Sequence, residues 1–198
     1  MKTLLTSLKI FFFFTVLTGI VYPLFVTGLA QLVFPAKANG SLIMKNNKLI
    51  GSELIGQQFD SAIYFCSRPS AISYNPMPSG GSNFGLTNLK LKHLVNERAN
   101  KFNAFNGYDS LNVVPSEMLF ASGSGLDPHI SSVSAVMQVE RIVKARNLDN
   151  LERMKLMKFI HEIKEAPQFG FLGNERINVL ALNIELDNLY ESRYGIRK

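Results

Sequence analysis

The stretch IFFFFTVLTGIVYPLFVTGLAQLVFPA, residues 10–36, decides the fold of this chain. It carries no charged residue over 27 positions, and Phe, Leu, Ile or Val occupy 16 of the positions from Ile10 to Phe34. At about −0.3 to −0.6 kcal/mol each, these side chains favour a bilayer by roughly 5–10 kcal/mol. As an α-helix the segment would be about 37 Å long, which is enough to cross a hydrocarbon core of about 30 Å. We therefore predict one transmembrane helix over residues 10–34.

Two other interpretations of this stretch are a cleaved signal peptide and a buried core helix. Ala36-Lys37-Ala38 has the small-x-small pattern of a signal-peptide cleavage site, but the apolar run is about twice as long as the usual ~7–15 residues of a signal peptide. A buried core helix would rarely be apolar on every face over this length. Since one helix cannot enclose a pore, a spanning helix also excludes a channel or pump made from this chain alone.

The composition after the apolar stretch is that of an ordinary soluble protein. We predict one mixed α/β globular domain over residues 35–198, following the single N-terminal transmembrane helix. The net charge of +6 is mild and does not indicate nucleic-acid binding. Lys2 and Lys9 lie in the tail of residues 1–9, and the positive-inside rule places such a tail in the cytoplasm. The domain would then lie outside, although lysines just after the helix weaken this argument.

Local patterns predict the elements of the domain. Short apolar or aromatic runs predict strands at 41–43, 48–50, 63–65, 111–114, 118–121 and 176–182, the first two forming a hairpin around Asn46-Asn47. Apolar periodicity predicts a helix at 87–105, and a short closing helix runs through Leu189. Two more helices begin after Ser131 or Ser132 and after Asp149, where Glu152 stands at the capping-box position.

A ridge of small or polar residues recurs at every fourth position of the predicted transmembrane helix. Such a ridge allows a neighbouring helix to approach closely and to form hydrogen bonds across the interface. The ridge drifts around a straight helix, and Pro23 leaves the carbonyl of Gly19 without its donor. We predict docking against partner helices, the alternative being a simple lipid anchor. The ridge consists of Thr15, Gly19, Pro23, Thr27 and Gln31.

Ser79-Gly80-Gly81-Ser82 is a candidate nucleotide-binding loop. Consecutive glycines let main-chain N–H groups converge on an anion, and the flanking serines add hydroxyl groups. The sequence also resembles the signature loop of ABC-type ATPases, which contacts a nucleotide. The pattern favours a tight loop packed on the domain itself or on a partner, with nucleotide binding as the sharper hypothesis.

Asp127-Pro128-His129, with Ser122 or Ser124, suggests a membrane-anchored hydrolase as an alternative function. An Asp and a His separated only by proline would not easily form the orienting pair of a catalytic triad, so we favour a turn. The sequence contains no G-x-x-x-x-G-K-S/T loop and no H-E-x-x-H or Cys/His cluster. We therefore predict no catalytic or metal-binding residues.

Six basic residues are concentrated on two successive predicted helices. Such a run usually forms a face exposed to solvent. The more specific hypothesis is that it binds an acidic partner or a phosphate group. The six are Arg141, Lys144, Arg146, Arg153, Lys155 and Lys158.

Seven ordered blocks of the sequence resemble the C subunit of the bacterial Kdp potassium-transporting ATPases. Among them are GIVYPLFVTGLAQLVFPAKANGSLI (19–43), YNPMPSGGSN (74–83), ASGSGLDPHIS (121–131) and GFLGNERINVLALNIELD (170–187). Together they cover nearly the whole chain, although no single block would suffice.

The resemblance implies a non-catalytic accessory subunit of a high-affinity, ATP-driven potassium uptake complex. Its partners would be a pore-forming potassium subunit, a P-type catalytic subunit and a small single-helix peptide, besides membrane lipid. The family is described as assembling or stabilising the complex and as a catalytic chaperone that raises its ATP affinity. ATP would then bind in a site shared with the P-type subunit, at residues 79–82. The implied location is the bacterial cytoplasmic membrane, with the domain outside.

Overall fold

The computed structural model describes residues 1–45 and 47–194, with residues 190–194 described by their main chain only. The contacts between residues divide the chain into two compact units. The first runs from Met1 to Ser52, and the second begins at Glu53. The first unit contains the apolar helix and a hairpin, and the second contains the mixed helices and strands.

A continuous helical segment, Lys2–Val33, is long and apolar enough to cross a membrane. It consists of α1 (Lys2–Val16), a π-helical turn (Leu17–Val21) and α2 (Tyr22–Val33). In the π-helical turn the N–H of Tyr22 donates to the carbonyl of Leu17, five residues back. The turn ends two residues before Pro23, whose ring nitrogen cannot donate to the helix. None of the side chains in these three elements is buried.

The predicted hairpin is confirmed. After the short helix α3 (Pro35–Ala38), β1 (Leu42–Lys45) pairs antiparallel with β2 (Lys48–Ser52). Lys45 lies opposite Lys48, so the loop has two residues. Asn47 has a left-handed φ of 61°, a conformation that asparagine tolerates well, and Asn46 lies outside the described residues.

Three long helices of the second unit begin at polar caps. These are α4 (Leu89–Asn106), α5 (Ser132–Arg146) and α6 (Asn150–Glu162). Ser131 Oγ accepts from the N–H of Ser134, and Asp149 and Glu152 form a complete capping box. The helix prediction at residues 87–105 and both cap predictions are therefore confirmed.

The strand prediction at residues 176–182 is wrong for most of its length. Only Ile177–Asn178 is a strand (β4), paired antiparallel with β3 (His129–Ile130). The helix α7 (Val179–Tyr194) begins immediately afterwards. The Oδ1 of Asn178 accepts from the N–H of Ala181 at 3.1 Å, so a side-chain cap turns the chain from strand to helix.

The strand predictions at 63–65, 111–114 and 118–121 are also wrong, because none of these segments pairs with a neighbouring strand. Residues 116–118 form a single 3-10 turn instead. The core of the second unit lies among α5, α6 and α7, where Ile142, Ile160 and Leu182 are fully buried. Phe65 is fully buried against them despite lying outside any strand.

Candidate functional site

The predicted docking ridge lies wholly on the exposed surface of the Lys2–Val33 segment. Thr15, Gly19, Pro23, Thr27 and Gln31 are all exposed. Thr15 donates its hydroxyl proton to the carbonyl of Phe11 at 2.8 Å. The Gln31 amide exchanges two hydrogen bonds with the Asn39 amide, at 3.1 and 3.2 Å. A Cβ atom placed on Gly19 would meet nothing within 4 Å. The ridge is therefore open to another helix.

The π-helical turn changes how the ridge winds around the helix. At about 100° per residue, the sixteen steps from Thr15 to Gln31 would carry a regular α-helix about 160° past whole turns. A π-helical turn takes up roughly one additional residue, which reduces this drift to about 60°. Its position at Leu17–Val21 lies between Thr15 and Pro23. The five residues thus lie closer to a single face than the sequence alone predicts.

The second unit brings two glycine-serine loops together, residues 79–82 and residues 122–125. The N–H of Gly80 donates to the carbonyl of Ser124 at 3.0 Å. A Cβ on Gly81 would lie 3.3 Å from the carbonyl oxygen of Gly123. A Cβ on Gly125 would lie 2.6 Å from Cγ1 of Ile72, and Gly125 has a left-handed φ of +69°. The glycines therefore permit a close main-chain approach between the loops.

This contact bears on the nucleotide hypothesis for residues 79–82. The N–H of Gly80 is already used by Ser124, which favours the packed-loop interpretation. Ser79 is nevertheless exposed, and a Cβ on Gly80 would meet nothing within 4 Å. The loop therefore keeps one open side, and nucleotide binding there stays a prediction.

Asp127 is the centre of a polar cluster beside these loops. Its Oδ2 accepts from Nη1 of Arg68 at 2.6 Å, and its Oδ1 accepts from the main-chain N–H of His129 at 3.0 Å. The ring Nδ1 of His129 lies 3.2 Å from the same Oδ1. Burial raises the pKa of Asp127, but the hydrogen bonds from His129 and the charge of Arg68 outweigh it and lower the pKa to about 2. The carboxyl group is thus ionised and fixed by three donors.

The expectation that Asp127 and His129 would not easily form an orienting pair is wrong, because the proline turn places their side chains in contact. The serine hydroxyls, however, have other partners. Ser124 Oγ accepts from the N–H of Leu126 at 3.1 Å, and Ser122 Oγ lies 3.4 Å from the N–H of Asp127. The hydroxyl oxygens that a hydrolase would use thus stabilise the turn. The geometry favours the turn over the Ser122 or Ser124 hydrolase.

The irregular segment of residues 63–66, which begins with a turn and a bend, is held by side chains from two helices. Gln138 Oε1 accepts from the N–H of Cys66 at 2.7 Å, and its Nε2 donates to the carbonyl of Cys66 at 3.3 Å. Asn183 makes the same pair of bonds to Phe65, at 2.8 and 2.9 Å. Two buried amides thus replace the neighbouring strand that this segment lacks. Because the main chain of Phe65 and Cys66 bonds to these amides, this aromatic, strand-like sequence forms no sheet.

Two of the six predicted solvent-facing basic residues belong to the same network. Arg141 is 7% exposed and donates to the carbonyl of Tyr64 at 2.6 Å, while Arg146 is 6% exposed and donates to that of Ile63 at 2.7 Å. Arg146 also pairs with Asp187 at 2.7 Å. For these two, the predicted solvated face is wrong, because their charges satisfy main-chain carbonyls inside the unit.

The sequence contains a signal for this network that the strand and charge patterns miss. Gln138 shares the i, i+3, i+4, i+7 spacing of Ala135, Val139 and Ile142, and so occupies a core position of α5. Asn183 does the same among Val179, Leu182 and Leu186 on α7. A polar amide at a core position of an amphipathic helix indicates that the side chain forms hydrogen bonds inside the protein.

Among residues 1–45 and 47–194, no group of three or more His, Cys, Asp or Glu side chains is arranged to hold a metal ion. The fold and these contacts define a class of protein: a chain with one helix long enough to span a membrane and a mixed α/β unit with loops held by buried side chains.

The chain belongs to the KdpC family, described as the K⁺-transporting ATPase c chain, whose family model matches residues 4–188. It is similar to the potassium-transporting ATPase KdpC subunit of Photorhabdus laumondii, with 43% identity over 191 residues, which is 95% of this chain and 97% of the relative. The KdpC subunit of Mycobacterium bovis BCG is 44% identical over 190 residues, covering 95% and 99% of the two chains. That of Methylococcus capsulatus is 46% identical over 180 residues, covering 88% and 92%.

Proposed function

We propose that this chain is a non-catalytic accessory subunit that assembles and stabilises an ATP-driven potassium uptake complex. Family membership across residues 4–188 supports a role as a subunit of a potassium-transporting ATPase. The observation that carries the accessory role is that Lys2–Val33 is the one helix among the described residues that is long and apolar enough to span a membrane, and it has no buried side chains. One helix can bind neighbouring helices, but it cannot by itself enclose an ion path.

The proposed partners are a pore-forming potassium subunit, a P-type catalytic subunit and a small single-helix peptide. Thr15, Gly19, Pro23, Thr27 and Gln31 would form the helix contact, since small and polar residues allow close packing within a bilayer. The complex would lie in the bacterial cytoplasmic membrane, with the N-terminus inside and the α/β domain outside. The positive charges of Lys2 and Lys9 support this orientation.

Co-purification with matched helix variants tests the accessory role. A C-terminally tagged chain is expressed with its operon partners, extracted in mild detergent and analysed by mass spectrometry. Fixed amounts of the pore and P-type subunits are expected with the wild type. Gly19→Leu should reduce their yield at least threefold, while Val21→Leu, about half a turn away, should not. A tagged chain that emerges alone from an active pump preparation would refute the proposal.

A second proposed role is that the chain raises the ATP affinity of the P-type subunit through Ser79, Gly80, Gly81 and Ser82. The open side of the loop at Gly80 supports it, since a phosphate could approach there. A domain outside the membrane would meet little ATP, and we therefore place this role second.

Steady-state kinetics of the purified complex separate the second role from the first. Gly80→Asp adds a negative charge on the open side of the loop, where the phosphate would approach, whereas Gly80→Ala adds only a methyl group to open space. If the loop binds nucleotide, Gly80→Asp should raise the KM for ATP about tenfold and Gly80→Ala should leave it unchanged. Equal KM values in an intact complex would eliminate this role and leave the accessory role standing.

A further inference from the structure

A cleft of about 480 Å³ opens in the second unit. Its lining includes Arg98, Lys101 and Phe105 of α4, together with Asp60 and Arg68 from the chain before that helix. Pockets of about 300–1,000 Å³ are typical of sites for small molecules. The size of the cleft therefore fits a small ligand better than a folded partner.

The cleft has an excess of positive charge. Arg68, Arg98 and Lys101 line it, against the single carboxylate of Asp60. Arg68 is paired with Asp127, but among the described residues no carboxylate lies within ion-pair distance of Arg98 or Lys101. Arg98 uses Nη1 to donate to the carbonyl of Leu119 at 2.7 Å. Two cations three residues apart on one helix are thus left to attract an anion.

Burial makes this excess charge costly. It lowers the pKa of Arg98, because the guanidinium is partly removed from water, and the charge of Glu97 offsets only part of this effect. In a partly dehydrated position an opposite charge interacts more strongly than at an open surface. An anion in the cleft would therefore relieve an unfavourable arrangement as well as form an ion pair.

The rest of the lining is apolar or lacks partners. Phe102 and Phe105 form one side, and Phe105 is 39% exposed with Arg141 stacked on its ring at 4.3 Å. Two residues that line the cleft each hold a buried atom without a hydrogen-bond partner among the described residues: the donor Nε of Arg68 and the acceptor Oδ1 of Asn106. A ligand with a polar head beside an apolar group would match both kinds of surface.

We propose that this cleft binds a small amphipathic organic anion, with its carboxylate or phosphate head between Arg98 and Lys101 and its apolar part against Phe102 and Phe105. The site is separate from the accessory role, and binding there would give the subunit a means of responding to a solute.

Isothermal titration of the full chain in a non-ionic detergent tests this with a matched panel. The probes are hexanoate, hexyl phosphate, acetate, inorganic phosphate and the neutral hexanol. At least one six-carbon anion should bind with a Kd at least tenfold lower than its short counterpart, and hexanol should give only the heat of partition into detergent. A preference for carboxylate or for phosphate identifies the head group, and either supports the site.

Lysine variants on one helix separate the cleft from general charge attraction. Lys101→Gln should raise the Kd of the better anion about three- to tenfold, and Lys101→Glu should abolish binding. Lys92→Gln, an exposed lysine of α4 that does not line the cleft, should leave the Kd unchanged. No binding of any six-carbon anion at 10 mM, equal loss in the Lys92 and Lys101 variants, or binding of hexanol as tight as that of the anions would overturn the proposal.

Discussion

Replacing Gln138 by Met should strongly destabilise the second unit. Met matches the length of the side chain but cannot bond to the main chain of Cys66, whose N–H lies 2.7 Å and whose carbonyl lies 3.3 Å from the Gln138 amide. Leaving a buried N–H unpaired costs about 1–3 kcal/mol, and the longer carbonyl bond adds about 1 kcal/mol. We expect a loss of about 2–4 kcal/mol in the free energy of unfolding. At about 2–4 °C per kcal/mol for a chain of this size, Tm should fall by roughly 5–15 °C.

Thermal melts of the full chain in detergent, followed by far-ultraviolet circular dichroism, measure this change. The matched control is Lys144→Met, an exposed position on the same helix α5, which should shift the free energy by less than about 0.5 kcal/mol. If Gln138→Met melts within about 2 °C of the Lys144→Met control, then the amide does not hold residues 63–66 in place.

Three further outcomes are expected. The pKa of Asp127 is lowered from its ordinary 3.8 to about 2, so the stabilisation it gives is complete above pH ~4 and is lost as the pH falls toward 2. Thermal melts at decreasing pH should show a loss of about 2 kcal/mol in the free energy of unfolding over that window. Asp127→Asn should remove this pH dependence. Gly125→Ala should lower the free energy of unfolding by about 1–3 kcal/mol, since the φ of +69° and the 2.6 Å approach to Ile72 leave no room for a methyl group. The control Gly80→Ala should change it by less than about 0.5 kcal/mol. Equal effects of the two variants on the denaturation midpoint would contradict the close packing at Gly125. Protease added to spheroplasts should remove a C-terminal tag but spare an N-terminal one, and the opposite pattern would show that the charges of Lys2 and Lys9 do not set the orientation.

The features predicted well from sequence are those whose cause is local. The run of residues 10–33 is helical because most of its side chains are apolar and favour the same environment, whatever lies elsewhere in the chain. Likewise, Asp149 and Glu152 bond only to main-chain groups three residues apart, so their capping box can be identified from spacing alone.

The incorrect predictions concern residues whose partners are distant in sequence. The aromatic run at residues 63–65 has the composition of a strand, but Phe65 and the following Cys66 have their hydrogen-bond partners on α7 and α5, 118 and 72 residues away. The sequence pattern predicts that Arg141 and Arg146 are surface charges. In the structure both side chains donate to main-chain carbonyls within the second unit. Local patterns do not contain these pairings, because they depend on how the helices pack.

The π-helical turn and the paired glycine loops are both local departures from regular structure. In the helix, Pro23 cannot donate to the preceding turn, and the wider turn at Leu17–Val21 accommodates this while bringing small residues nearer to one face. In the loops, glycines let one main chain approach another to within hydrogen-bonding distance at Gly80 and Ser124. In both places the departure from regular structure shapes a surface or joins two segments. A variant that restored regular structure, such as Pro23→Leu, would therefore be expected to weaken partner binding more than it weakens insertion into the membrane.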